Sequence, residues 1–237
     1  MLEQLTISVG GSEHVSARVY RALDPGRIGA TFVLAHGAGA GHLSAFMVRF
    51  ATGLASRGLD VLTFNFLYTE QRRRVPDRPD KLEACYRAAI GAARGAVPPG
   101  GHPGGNRMYI GGKSMGGRIA SQVAAGESAE PLSGLIFLGY PLHPPGKPDR
   151  LRAAHLAKIR APMLFVQGAR DPFGTPDELR PILDRLQAHA TLRVVENGDH
   201  SLAPPKKGEP SLDDVYNGIQ DDIVTWIRYP GRVLSGA

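Results

Sequence analysis

The sequence has a single cysteine, Cys85, among its 237 residues. One thiol cannot form a disulfide within the chain, and it excludes a zinc or iron–sulfur site built on several cysteines of one chain. No apolar run approaches the roughly 18 residues that a membrane-spanning helix needs. The first eleven residues contain the acid Glu3 and lack the basic and apolar regions of a secretory signal. We therefore expect a soluble, cytoplasmic protein with no membrane partner.

Internal repeats and low-complexity segments are also absent. The 30 glycines and 19 prolines lie between apolar runs, which excludes a collagen-like or low-complexity chain. Hydrophobic residues make up 42% of the chain, enough to supply a packed core. Because the length suits one large domain, we expect residues 1–237 to form a single domain.

The chain carries a net charge of +6, which raises the question of a nucleic-acid partner. The densest basic cluster is Arg72, Arg73 and Arg74, and acidic residues such as Asp77 and Asp80 follow closely. No aromatic residues alternate with these charges to stack on bases. We therefore expect a solvated loop and no nucleic-acid partner. Contact with a substrate carboxylate or with another protein stays open for this cluster.

Strand and helix patterns alternate along most of the chain. Apolar runs typical of strands cover residues 5–9, 15–20, 31–35, 59–66, 107–111, 134–140, 163–167 and 192–195. Helical spacing covers residues 44–57, 79–95, 115–125, 176–188 and 211–228, with a short helical stretch near 150–159. Thr175, Pro176 and Glu178 form a capping-box pattern at one helix start. The alternation predicts an α/β fold with a mostly parallel central sheet flanked by helices.

One strand-to-helix turn contains the pattern G-x-S-x-G, at residues 112–116. A pattern this short is weak alone, but here it directly follows a predicted strand and opens a predicted helix. Glycines on both sides permit a sharp turn that projects Ser114 at a helix N-terminus, where backbone N–H groups stabilise negative charge. The pattern predicts that Ser114 is a nucleophile; an ordinary serine N-cap is the alternative.

A serine hydroxyl needs a base to remove its proton, and the base needs a group to orient it. Among the eight histidines, His200 lies in a loop after the last predicted strand, downstream of every other candidate. Asp171 follows the strand before that one, in the kind of turn that carries site residues. The order Ser114, Asp171, His200 therefore predicts a nucleophile, orienting acid and base. Asp199 is the rival acid, but its adjacency to His200 favours a turn-forming role.

A second glycine-rich turn, His36-Gly37-Ala38-Gly39, follows the strand at 31–35. Such a loop can place a backbone N–H opposite that of the residue after the nucleophile, so that both stabilise an oxyanion. We predict Met115 and Ala38 as these donors, with Gly39 as the fallback for Ala38. A phosphate loop is the alternative, although the spacing G-x-G-x-x-G is missing.

Gly112-Lys113-Ser114 also matches the end of a nucleotide-binding Walker A motif. That motif needs a further glycine five positions earlier, and position 107 is arginine. Residues 107–111 are predicted as a strand, which leaves no loop to surround a phosphate. We therefore do not expect a nucleotide hydrolase.

Taken together, several segments resemble the α/β-hydrolase superfamily over nearly the full length of the chain. They are HGAG at 36–39, FNFLY at 64–68, GKSMGGR at 112–118, GYPL at 139–142 and QGARDPFG at 167–174. More narrowly, the chain is similar to the bacterial dienelactone-hydrolase-like group, which is related to the animal testis-expressed hydrolase-like protein and to the hydrolase-like subunit of a histone acetyltransferase complex. The resemblance implies a hydrolase fold and a triad, and the animal members indicate that this fold can also act as a scaffold. Ser114 stands where dienelactone hydrolases carry cysteine.

We expect a serine hydrolase that cleaves a carboxylic ester or a related small acyl compound with no metal or organic cofactor. A catalytically silent interaction domain of the same fold is the alternative. Only 23 positions separate Tyr140 from Met163, too few for a large helical cap between these two strands. The sequence therefore predicts an open site walled by Tyr68, Tyr140, Leu142 and Phe173, with short acyl chains preferred.

Overall fold

The computed structural model of this chain describes residues 2–23, 25–96, 107–126, 131–205 and 210–229. The Pro/Gly-rich loop predicted at 97–105 lies outside these ranges. The strands are β1 Leu2–Gly10, β2 Glu13–Tyr20, β3 Ala30–Ala35, β4 Asp60–Phe64, β5 Arg107–Lys113, β6 Gly134–Leu138, β7 Met163–Gly168 and β8 Ala190–Val195. The α-helices are α1 Ala45–Ser56, α2 Leu67–Glu70, α3 Pro79–Ala96, α4 Met115–Ala125, α5 Pro176–Leu183 and α6 Leu212–Arg228, and a 3₁₀ helix spans Ala154–Lys158.

All eight strands form one sheet in the order β1-β2-β4-β3-β5-β6-β7-β8. The pairs β1–β2 and β2–β4 are antiparallel, whereas every pair from β4 to β8 is parallel. The carboxyl ends of β3, β5, β7 and β8 therefore meet at one edge of the sheet, where ligands bind in such folds. The predicted α/β class and the antiparallel pair at the start of the chain are confirmed.

Helices cover both faces of the sheet. On β3, Phe32 and Leu34 pack into the layer that also contains α1 and α6, whereas Val33 and Ala35 pack into the layer of α3, α4 and α5. All six residues of this strand are buried, so neither face offers a polar side chain to water. This explains why the central strands were recognisable as continuous apolar runs rather than as alternating patterns.

Several element ends differ from their sequence predictions. The strand predicted to reach Phe66 ends at Phe64 and is followed by the four-residue helix α2. The strand predicted to reach Tyr140 ends at Leu138, because Gly139 adopts a positive φ of 69°. Helix α5 ends at Leu183 instead of residue 188, and the N–H groups of Arg185 and Leu186 donate to carbonyls three residues back, in a tighter turn. The predicted capping box at the start of α5 is present.

Within the residues that the structure describes, no large cap domain covers the carboxyl edge of the sheet. The connection between β6 and β7 contains only the 3₁₀ helix Ala154–Lys158. Among the helices that the structure describes, none is long and apolar enough to span a lipid bilayer.

Candidate active site

Ser114 lies at the sharp turn between β5 and α4. Its backbone has φ 50° and ψ −116°, a conformation that residues with a Cβ atom seldom adopt. The Ser114 N–H donates to the carbonyl of Leu138 at 3.1 Å, and its own carbonyl accepts from the Arg118 N–H at 3.1 Å. These two bonds hold the turn between the neighbouring strand β6 and the first turn of α4.

The glycines on either side of Ser114 allow a close backbone approach to the end of β3. A Cβ atom on Gly112 would lie 2.3 Å from the carbonyl oxygen of Ala35, and one on Gly116 would lie 2.5 Å from the same oxygen. Neither position can therefore accept a side chain without backbone movement. This approach brings Ser114 against the loop that begins at His36.

His200 connects Ser114 to Asp171. The His200 Nε2 atom lies 2.8 Å from the Ser114 Oγ, and Nδ1 lies 2.8 and 2.9 Å from the two carboxylate oxygens of Asp171. Asp171 is 1% exposed, whereas the imidazole is partly accessible. The structure thus brings together the three residues singled out in the sequence, in an arrangement that can pass a proton from a hydroxyl to an imidazole.

The Asp171 carboxylate is fixed by two further donors. Gln167 Nε2 donates to one of its oxygens at 2.9 Å, and the Phe173 N–H donates to the other at 2.8 Å. The Phe173 ring stacks on the His200 imidazole with 4.1 Å between ring centroids. Both the carboxylate and the ring that it faces therefore have defined orientations.

Asp199, the rival acid, has a different task. One of its carboxylate oxygens accepts from the N–H groups of Ser201 and Ala203, at 2.7 and 3.1 Å. These bonds close the loop that carries His200. The turn-forming interpretation of Asp199 agrees with this geometry.

Lys113 lies beneath the histidine loop. Its ammonium group donates to the backbone carbonyl of His200 at 2.6 Å. Burial lowers the pKa of Lys113 to about 8, although the nearby carboxylates of Asp171 and Asp199 act in the opposite direction. Lys113 belongs to two motifs named from the sequence, the rejected nucleotide-binding motif and the segment GKSMGGR, but neither predicted this contact.

The loop after β3 is anchored by His36. The Phe66 N–H donates to His36 Nε2 at 3.1 Å, so Nε2 is unprotonated and Nδ1 carries the hydrogen that it shares with the Gly37 carbonyl at 2.8 Å. Burial lowers the pKa of His36 to about 4. The imidazole is therefore neutral at pH 7 and holds the loop against the segment that follows β4.

Ala38 and Met115 both border the cavity that contains Ser114. Met115 is the first residue of α4, where the N–H group has no partner within the helix. Within the described residues, no hydrogen-bond acceptor pairs with the Ala38 N–H. Gly39, the fallback donor, borders the neighbouring cavity instead. The positions of Ala38 and Met115 thus suit the predicted pair of oxyanion donors.

Ser114 and His200 open into a cavity of about 610 Å³, a size typical of small-molecule sites. Its wall is mainly apolar and includes Phe46, Met47, Leu82, Met115, Pro141 and Phe173. Of the four predicted wall residues, only Phe173 lines this cavity. Tyr68 borders the neighbouring cavity, of about 700 Å³, together with Arg72, Arg73 and Arg74.

Tyr140 and Leu142 are in the hydrophobic core rather than on the cavity wall. Tyr140 packs edge-to-face on Phe137 and Phe165, and its hydroxyl donates to the Arg152 carbonyl at 3.0 Å. The prediction failed because Gly139 turns the chain inward immediately after β6. Both side chains therefore support the site from below.

Two arginines that line the cavity, Arg118 and Arg152, were not predicted as site residues. Arg118 lies one helical turn after Ser114, so its helical spacing could have indicated it. Arg152 belongs to the connection between β6 and β7, and no pattern in the sequence places it near Ser114. Within the described part of the chain, no group of three or more histidine, cysteine or acidic side chains is arranged to hold a metal ion.

Comparison with solved structures supports the fold. The chain is similar to a serine hydrolase without a lid from Xanthomonas campestris, with 20% identity, a TM-score of 0.70 and coverage of 95% of this chain and 94% of the other. It is also similar to a dienelactone hydrolase from Anabaena variabilis, with 19% identity, a TM-score of 0.68 and coverage of 93% and 95%. An esterase domain from a Rhodothermus marinus protein gives 15% identity, a TM-score of 0.68 and coverage of 96% and 98%.

The family comparison extends over most of the chain. The sequence profile of the alpha/beta hydrolase domain matches residues 29–228, which include β3 to α6 and all three residues of the Ser114–His200–Asp171 constellation. The match fits the parallel sheet and the strand-to-helix turn at Ser114. The chain therefore belongs to the α/β-hydrolase family.

Proposed function

We propose that this protein is a serine hydrolase that cleaves a carboxylic ester or a related small acyl compound. The single observation that carries the proposal is the 2.8 Å contact between Ser114 Oγ and His200 Nε2, with the far side of the imidazole held by Asp171. A hydroxyl positioned this way can lose its proton as it attacks a carbonyl. The hydrolase, esterase and dienelactone hydrolase activities named for the structural neighbours agree with this type of bond.

The reaction has two halves. Ser114 Oγ attacks the carbonyl carbon while His200 Nε2 takes the hydroxyl proton, and the backbone N–H groups of Ala38 and Met115 stabilise the oxyanion. The C–O bond to the alcohol breaks, and His200 returns the proton to the departing oxygen. Water then attacks the acyl-serine with His200 again as the base, which releases the acid and restores Ser114. Asp171 accepts the Nδ1–H throughout and stabilises the imidazolium.

A fluorophosphonate probe tests the assignment directly. The wild-type protein should form a single covalent adduct that peptide mapping places on Ser114, and it should hydrolyse 4-nitrophenyl acetate. Ser114→Ala should lose both properties. Ser44→Ala is the matched control, because Ser44 borders the same cavity but no hydrogen bond to a histidine involves it in the described residues. An adduct on another serine would contradict the site, and no adduct on the folded protein would favour a catalytically silent interaction domain.

A further inference from the structure

Two arginine side chains border the cavity that contains Ser114. Arg118 is half-buried on α4, one turn after Ser114, and helical side chains lean toward the N-terminal end of their helix. Arg152 reaches the same cavity from the connection between β6 and β7. In the part of the chain that the structure describes, neither guanidinium group has a carboxylate partner.

Arg152 is held in place although its side chain is exposed. Its N–H donates to the Leu142 carbonyl at 2.8 Å, and its carbonyl accepts from the Tyr140 hydroxyl at 3.0 Å. Both partners are fully buried. The backbone of Arg152 is thus tied to the core at the cavity rim, so its guanidinium group is directed from a fixed point.

The other charged groups at this cavity already have partners. The Asp77 carboxylate forms an ion pair with Arg73 at 2.6 Å, and the Lys113 ammonium donates to the His200 carbonyl. Neither group pairs with Arg118 or Arg152 within the described residues, so the positive charges of these two arginines have no carboxylate partner there.

The two arginines also influence each other. Burial and the charge of Arg152 both lower the pKa of Arg118. His155, next to this pair, has its pKa lowered to about 4 by burial and by Arg118, so it contributes no further charge at pH 7. Two like-charged guanidinium groups at one mainly apolar cavity repel each other, and an anion bound by both would relieve that repulsion. Their planar forks match the oxygens of a carboxylate or a phosphate.

We propose that Arg118 and Arg152 form a subsite for an anionic group, carboxylate or phosphate, on the substrate whose acyl bond Ser114 attacks. This inference rests on the proposed hydrolase function and gives it a substrate class. The substrate is an acyl compound that carries a second, ionised group within reach of the two guanidinium groups.

Matched substrate pairs isolate the effect of the charge. Methyl hydrogen glutarate carries its charge on the acyl side of the ester, and it is compared with its neutral isostere, methyl 4-carbamoylbutanoate. Acetoxyacetate carries its charge on the alcohol side, and it is compared with the neutral acetoxyacetamide. Methyl 4-phosphonobutanoate distinguishes phosphate-like from carboxylate recognition. In the wild-type protein, at least one charged substrate should exceed its neutral partner in kcat/KM by about tenfold or more.

The variants Arg118→Gln and Arg152→Gln should each bring that charged-to-neutral ratio close to 1. Arg150→Gln is the control: it removes the same charge two residues away, from an exposed side chain that does not border the cavity, and it should keep the wild-type ratio. Arg152 lies outside α4, so a loss of the charged-to-neutral ratio in Arg152→Gln cannot result from damage to that helix.

The outcomes that overturn the inference are distinct from those that overturn the proposed function. Equal turnover within every pair, or a high ratio that survives in both variants, rules out the anion subsite while leaving the hydrolase intact. An equal loss in Arg150→Gln indicates a general charge effect and also rules it out. If no ester of either kind is hydrolysed and Ser114 stays unlabelled by the fluorophosphonate, the hydrolase function fails and the subsite fails with it.

Discussion

The ammonium group of Lys113 and the backbone carbonyl of His200 lie 2.6 Å apart, so the residue before the proposed nucleophile directly supports the loop that carries the proposed base. A hydrogen bond from a charged donor is stronger than one between neutral groups. Replacing Lys113 with methionine removes the donor but keeps an unbranched side chain of similar length. We expect Lys113→Met to lower kcat on a neutral ester by about tenfold with little change in KM. An unchanged kcat would show that the histidine loop keeps its position without this bond.

The buried ammonium group of Lys113 also predicts a pH effect on stability. Burial lowers its pKa from 10.5 to about 8 in the folded protein. Between about pH 8 and 10.5 the unfolded chain binds a proton at Lys113 that the folded chain does not. The contribution of Lys113 to the free energy of unfolding therefore rises with pH in this range. The Tm of the wild-type protein minus that of Lys113→Met should therefore increase as the pH rises from 7 to 10. A constant difference would contradict the shifted pKa.

The two aspartates near His200 should respond very differently to conversion into asparagine. Asp171→Asn removes the charge that faces Nδ1 and should lower kcat by about 10²–10⁴-fold, because the imidazole loses its preferred tautomer. Asp199→Asn keeps an oxygen that can accept from the N–H groups of Ser201 and Ala203. We expect it to stay within a few-fold of wild type in steady-state assays. If Asp199→Asn is the crippling change, the orienting acid has been misassigned.

The backbone conformation of Ser114 predicts an unusual order of stability among inactive variants. At φ 50° and ψ −116°, a residue with a Cβ atom is strained by about 1–3 kcal/mol, whereas glycine is not. Ser114→Gly should therefore be more stable than Ser114→Ala in urea unfolding. Gly91 inside helix α3 supplies the control, since an added Cβ there meets no neighbouring atom and Gly91→Ala should raise the stability by about 0.5–1 kcal/mol. The same order at both positions would argue against strain at Ser114.

Buried His36 predicts a loss of stability in mild acid. Its pKa falls from 6.5 to about 4 on folding, because burial disfavours the charged ring. Below pH 6.5 the unfolded chain binds a proton that the folded chain excludes, so stability falls as the pH drops toward 4, by at most about 1.4 kcal/mol per pH unit. His36→Gln keeps an acceptor for the Phe66 N–H but cannot titrate. Its unfolding free energy should fall less steeply between pH 6.5 and 4.5, and an identical slope would count against the assignment.

The lack of a large cap domain predicts simple kinetics toward lipid-like substrates. No cap has to open over Ser114, so hydrolysis of tributyrin should show no jump in rate when the ester exceeds its solubility. An open cavity also leaves the far end of a long acyl chain in water, where each unburied CH₂ forgoes about 0.8 kcal/mol. Short-chain 4-nitrophenyl esters should therefore exceed long-chain ones in kcat/KM. A steady rise from acetyl to dodecanoyl esters would contradict this prediction.

That Ser114, Asp171 and His200 lie close together could be predicted because each follows a strand, and the carboxyl ends of parallel strands share one edge. The same reasoning assigned Tyr140 and Leu142 to the cavity, and there it failed. Gly139 adopts a positive φ directly after β6, and the Tyr140 and Leu142 side chains that follow are fully buried. Whether such a glycine turns the chain toward the site or toward the core depends on the packing below it, which the local pattern does not contain.

The end of α5 and the long-range contacts of Arg152 could not be predicted from the sequence, for related reasons. Apolar spacing continues past Leu183 to Leu186 and Ala188, and these residues do pack against the core, but after Pro181 the backbone tightens and α5 ends. Arg152 borders the same cavity as Arg118, and bonds from Tyr140 and to Leu142 hold its backbone there. Contacts of this kind arise from tertiary structure and leave no periodic trace along the chain.

The approach of Gly112 and Gly116 to one carbonyl oxygen, that of Ala35, constrains how this protein can diverge. Any side chain at either glycine displaces the serine turn and the loop at His36 together, so the two cannot change separately by small steps. The connection between β6 and β7 is free of that constraint, because much of residues 144–152 is exposed. Substitutions or insertions there can alter which molecules enter the cavity while the geometry of Ser114, His200 and Asp171 stays unchanged. Substitutions that change substrate specificity in proteins descended from this chain should therefore occur mainly between β6 and β7.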